Sequence, residues 1–274
     1  MKYYKLIFFT LSACSVTKNT PDAASYSNTY SHNELITAEP NNIPNPRVYN
    51  SSIKENASIC PSNMIHVQGD YCNNLEEVCL KWGDPDNKGA NGPVQCLEFK
   101  FPTKCLSNTT HLSYCIDVYP YPNKPEELPT TNLSWFQAQE LCGKEGKRLC
   151  NMKEFTQACR GPENKPYPYG YSRDCSKCNC DRTPWVDPTT HSFQELDKRV
   201  TLGSMPECKS DYGVMDTVGN NDRWVENENG KPFVSALKGG HAVLGARNRC
   251  SPTTLVHGPS FSFYETGALC CKSL

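Results

Sequence analysis

No long run of lysine or arginine occurs in this chain, whose 28 basic side chains almost balance 29 acidic ones for a formal net charge of −1. A phosphate backbone needs a basic face to neutralise it, so nucleic acid is excluded as an electrostatic partner. The chain is fairly poor in leucine and alanine and rich in Asn, Ser, Thr, Pro and Tyr, which argues against long helices. Beyond the first residues no apolar stretch is long enough to cross a bilayer as a helix. There is no His-x-x-x-His pair and no facial-triad spacing to hold iron. Residues 15–58 contain no cysteine at all.

Cysteine is abundant elsewhere, with 17 in 274 residues. Such a load points to an oxidising compartment. Lys2 and Lys5 precede the short apolar stretch "LIFFTLSA", and Cys14 follows it. That reads as a bacterial lipoprotein signal over residues 1–14, with "LSAC" presenting Cys14 for lipidation, because no Ala-x-Ala cleavage site competes. The expectation is an outer-membrane lipoprotein of the cell envelope, its membrane contact made through the lipid. Residues 15–58 read as a flexible tether. A folded domain is expected over 59–274, with a Cys-rich N-terminal part at 59–115. Setting Cys14 aside leaves an even number of cysteines, compatible with complete pairing.

Within the domain, "MIHVQGDYC" and "CLEFKF" alternate enough to be short strands, and "GDPDNKGANGP" reads as a loop. Cys60, Cys72, Cys79, Cys96, Cys105 and Cys115 can pair in about fifteen ways, and spacing does not choose among them. Ser134 is placed to cap a helix through "WFQAQELC", stopped at Gly146. Asn151 with Glu154 forms a capping-box pattern before a second helix. "CSKCNC" with Cys208 offers four sulfurs; zinc is one reading, and the compartment favours bridges Cys178–Cys208 and Cys175–Cys180 instead.

The run "SWFQAQELCGKEGKRLCNMKEFTQACRGPENKPYPYG", with "YGVMDTVGNNDRW", "LKGGHAVLGARNRC" and "GALCC" following in order, resembles the sulfatase-modifying-factor domain of formylglycine-generating enzymes. The likeness runs from about Met64 to Cys271. It implies an α+β, irregular, loop-rich fold related to C-type lectins, and it implies bridges Cys142–Cys270 and Cys159–Cys250. Cys150 stands where the family has proline and Cys271 is added beside Cys270, which suggests a third bridge between them.

The resemblance also bears on chemistry. Family oxidases bind copper(I) through two cysteines beyond the glycine pair, and soft thiolates suit that ion. Counted from Gly239 and Gly240, the matching positions are Leu244 and Arg249, so copper is not expected. The motif serine is His241. Family calcium sites would map to Asn179 with the Cys180 carbonyl, and to Asn220. At the second, Arg223 stands in place of a carboxylate ligand and disfavours a hard cation. Trp224, His241, Arg247 and Arg249 are the candidate lining of a site, with His257 as a further polar group. The alternative is that the arginines pack under loops and pair with acids such as Glu226 or Glu265. The expected function is a non-catalytic binding or structural module for a glycan, a peptide or an envelope protein. A formylglycine-generating-type or other oxygen-dependent oxidoreductase is the second reading.

Overall fold

The computed structural model describes residues 59–86, 94–182 and 191–274. Cys14, the tether, and most of the 83–93 loop lie outside them. Six strands come first: β1 (Met64–Cys72), β2 (Leu75–Glu76), β3 (Cys79–Trp82), β4 (Cys96–Phe99), β5 (Lys104–Cys105) and β6 (Thr109–Asp117). α1 (Trp135–Lys144), β7 (Arg148–Leu149), α2 (Met152–Arg160) and the single turn α3 (Phe193–Leu196) follow. The chain continues through β8 (Asp222–Glu226), β9 (Ser235–Lys238), β10 (Thr253–Thr254), β11 (Thr266–Ala268) and β12 (Cys270–Ser273). None of the described helices is long and apolar enough to cross a membrane.

Both main helices begin where their caps dictate. The Ser134 side chain accepts from the Gln137 amide while Gln137 Oε1 accepts from the Ser134 amide at 2.8 Å. Asn151 and Glu154 make the same reciprocal pair at the start of α2. Each pair satisfies backbone donors that the first helical turn leaves without partners. α1 ends before Gly146, whose φ of 67° is in the left-handed region.

Two four-stranded sheets organise the domain. One runs β1-β6-β12-β7 and is antiparallel throughout, with nine aligned pairs from Met64↔Asp117 to Cys72↔Thr109. The other runs β10-β9-β8-β11, with β11 parallel to β8. β8 and β9 alternate between two cores. Val225 and Ala236 face one, with Phe155, Ile116 and Leu269; Trp224 and Leu237 face the other, with Trp135 and Ala138. These strands are covered on both sides, so they lack the polar-out alternation of a half-exposed strand.

Eight bridges cross-link the described residues. The six N-terminal cysteines pair concentrically as Cys60–Cys115, Cys72–Cys105 and Cys79–Cys96. Cys142–Cys270, Cys150–Cys271 and Cys159–Cys250 tie the helical part to the C-terminal segment. Cys175–Cys180 and Cys178–Cys208 close the middle loops. Every sulfur of "CSKCNC" and Cys208 is thereby taken, which removes the zinc reading.

Candidate functional site

Lys238 ends β9, and the chain from Gly239 to Cys250 has no helix or strand. Gly239 and Gly240 hold φ of 91° and 72°, where a side chain is strained. A Cβ on Gly239 would strike the Arg223 guanidinium and come within 2.5 Å of the Thr217 carbonyl; one on Gly240 would strike the Asn248 amide. The pair exists because backbone passes through space that other groups fill. Asn248 fastens the loop, accepting from the His241 amide at 3.0 Å and donating to the Val243 carbonyl at 2.9 Å.

Charged side chains knit this loop to its surroundings. Arg247 Nη1 lies 2.6 Å from Oδ2 of fully buried Asp222, whose other oxygen accepts from the Gly240 amide at 2.9 Å. Arg247 Nη2 reaches Glu265 at 3.6 Å, and Glu265 in turn lies 3.1 Å from His241 Nε2. Burial works against the Arg247 charge, but Asp222 and Glu265 outweigh it and hold its pKa above the ordinary value. The Tyr264 hydroxyl beside them is pushed up by burial and by the Glu265 charge. Arg249 Nη1 pairs with Glu77, a residue of the N-terminal Cys-rich part, and Ser251 Oγ donates to the other Glu77 oxygen. The Arg249 guanidinium also sits 5.2 Å over the Phe99 ring.

Between the β3–β4 ribbon and residues 246–256 opens a groove of about 580 Å³. Its walls include Trp82, Val94, Phe99 and Leu255, with Arg247, Arg249 and Glu77 as the charged groups. Arg247 and Arg249 are thus brought together. His241 is linked to them through Glu265 but lies on a separate cavity of about 10 Å³, room for one water. Trp224 is corrected outright: it is fully buried in the core, its indole donating to the Leu133 carbonyl at 2.7 Å, so it lines no site. His257 stacks on Phe261 at 3.9 Å, away from the groove, and its pKa is lowered by burial and then by Arg247.

A profile described as a sulfatase-modifying factor enzyme 1-like domain matches residues 107–264. The chain belongs to the sulfatase-modifying-factor family. A bovine (Bos taurus) protein named inactive C-alpha-formylglycine-generating enzyme 2 is 29% identical over 105 residues, 37% of this chain and 34% of that one. The chain therefore spans about a third of the length of that curated relative. Among solved structures, CarF is similar with a TM-score of 0.49 and 14% identity, over 78% of this chain and 99% of that one. PvdO from Pseudomonas aeruginosa is similar with a TM-score of 0.45 and 16% identity, over 77% and 94% of the two chains.

Measured against the sulfatase-modifying-factor oxidases, the metal positions do not fit their ions. Leu244 is buried hydrocarbon and Arg249 is occupied with Glu77, while the described cysteines are all bridged, so no thiolate pair faces the groove. The calcium site mapped to Asn179 and the Cys180 carbonyl has a donor set that suits a hard cation poorly. Asn179 Oδ1 accepts from Arg182 at 2.7 Å, and its amide nitrogen donates to Asn220 Oδ1 and the Lys198 carbonyl. A guanidinium already faces the oxygen that a hard cation would need. In the Asn220 turn, the fully buried Arg223 plays the cation, donating to the carbonyls of Thr217, Gly219 and Asn221.

Of the acids named as partners for the arginines, Glu265 does pair with Arg247, but Glu226 is exposed and pairs with neither arginine. Asp222 and Glu77 take that role and were not foreseen. Asp222 sits inside the "GNNDRW" motif, where an acid beside the glycine pair's strand was a usable signal. Glu77 lies 172 residues from Arg249, and nothing local connects the two.

Proposed function

We propose that this chain is a lipid-anchored envelope protein whose sulfatase-modifying-factor domain binds a partner and performs no oxidation. One observation carries the reading: the family's catalytic thiol positions hold Leu244 and Arg249, and a groove of about 580 Å³ lies beside the arginine. A largely apolar trough with an arginine–carboxylate pair in its lining suits an extended peptide segment that buries an apolar side chain and orients its backbone on polar groups. A glycan is the other ligand class such a face admits. The bovine relative is named as inactive, which accords with a family that keeps the fold where the chemistry is absent.

Two measurements test this. Thiol counting on unreduced, denatured protein, with a copper(I) titration of the folded form, is expected to find no reactive pair in residues 59–274. Conversion of a cysteine peptide to an aldehyde overturns the reading. Peptides selected by display on the folded protein are expected to lose about tenfold in affinity for Trp82→Asp, which places a charge on the apolar wall. Selection of glycans but no peptides on arrays moves the assignment to the second class.

A further inference from the structure

A second cavity, of about 220 Å³, shares only Thr253 with the groove. Amide and hydroxyl groups of Asn73, Asn229, Ser251 and Thr253 line it, and Lys238 and Lys153 supply cations. Lys238 is 2% exposed, and its Nζ donates to the Ser251 carbonyl at 2.8 Å and to Thr253 Oγ1 at 3.1 Å. No carboxylate pairs with it among the described residues. Lys147, by contrast, is only partly buried as a residue and has Asp117 and Glu145 each at 2.7 Å.

Arg160 adds to the imbalance. It is 7% exposed, and both Nε and Nη2 donate to the single Ser251 hydroxyl, at 3.1 and 2.8 Å. Beyond the flanking Tyr71 hydroxyl, its Nη1 has no acceptor. Arg160, Lys238 and Arg249 therefore share one buried carboxylate, Glu77, which is 3.9 Å from Arg160 and committed to Arg249. The acid that lines the cavity itself, Glu228, lies 3.8 Å from Lys153. Buried charge persists only where it is compensated, and here positive charge exceeds its partners.

We propose that this cavity binds a small oxyanion, a carboxylate or phosphate group, seated on Lys238 and the Ser251–Thr253 wall with Arg160 behind it. Burial, followed by the nearby Arg160, holds the Lys238 pKa well below that of a free lysine, so the amine is short of exactly what an anion supplies.

Titration calorimetry of the full chain with inorganic phosphate and with acetate, against chloride at matched ionic strength, tests this. At least one oxyanion is expected to bind above the chloride background; phosphate alone, or acetate alone, identifies the source. At alkaline pH the heat is expected to vary with buffer ionisation enthalpy, because binding draws a proton onto Lys238. Lys238→Met removes an uncompensated buried charge, so it is expected to stay folded and to weaken binding at least about tenfold. Lys153→Gln at the rim is expected to weaken it about threefold. Heats equal to those of chloride in the unmodified protein, or unchanged binding in Lys238→Met, overturn the proposal. Lys238 and Lys153 do not line the groove, so the assignment of the groove is tested separately.

Discussion

Asp216 and Arg223 carry opposite charges that burial treats alike. Burial pushes the Asp216 carboxyl up to about 6, against the Gly203 amide that hydrogen-bonds it at 2.8 Å, and brings the Arg223 guanidinium down to about 10. In the folded state Asp216 keeps its proton up to about pH 6, whereas in the unfolded chain it releases it near 3.8. Its contribution is therefore full below pH 3.8 and falls as the pH rises toward 6. Asp216→Asn keeps a short amide at a left-handed position with φ of 53° and is expected to stabilise the protein by about 3 kcal/mol at pH 7, with no gain at pH 3. Urea unfolding at the two pH values checks it. Glu77 is the opposite case, a carboxylate whose loss strands three cations. Glu77→Gln is expected to cost about 3–5 kcal/mol, against less than about 0.5 kcal/mol for exposed Glu226→Gln, in the same unfolding assay. At this scale the sequence was partly legible. Arg247 was read as lining and does line the groove, but Trp224 was read as lining when it is core, because an aromatic side chain carries no mark of which way its strand faces.

The elements divide by where their information sits. Helix starts are local: Ser134 and Gln137, like Asn151 and Glu154, lie three positions apart, so both caps could be read before any fold was known. The long strand β1 was legible for a related reason, since its alternation lies within "MIHVQGDYC". β8 was not, because it is buried on both sides and carries Asp222 and Arg223 in its first positions, which read as loop. The β3–β4 ribbon is a third type. Its two strands are short, register shifts interrupt their pairing, and the Cys79–Cys96 bridge joins them across the 580 Å³ groove's wall. Replacing both cysteines with serine frees a loop of seventeen residues, worth about 3 kcal/mol of closure entropy. The expected outcome is local: amide exchange of residues 79–99 accelerates and groove binding falls, while protection of β8 and β9 is retained. Equal loss of protection in β8 would show instead that the ribbon is part of the main cooperative unit.

Across the described residues, eight disulfides and several buried ion pairs join the two main apolar cores. The anchor proposed at Cys14 has its own test: Cys14→Ser is expected to move the protein from the membrane fraction to the soluble one and to abolish labelling by a fatty-acid probe. Unchanged fractionation would remove the anchor and leave the domain's reading intact. The sequence by itself determined the family, the α+β class and both main helices, because each depends on residue identity at a motif position or on neighbours a few residues apart. Only the tertiary structure decided that the six N-terminal cysteines nest, that Glu77 meets Arg249, and that Lys238 and Arg160 are left short of negative charge. Those facts depend on which distant segments pack together and on how much water is excluded between them, and neither quantity is written in the local order of residues.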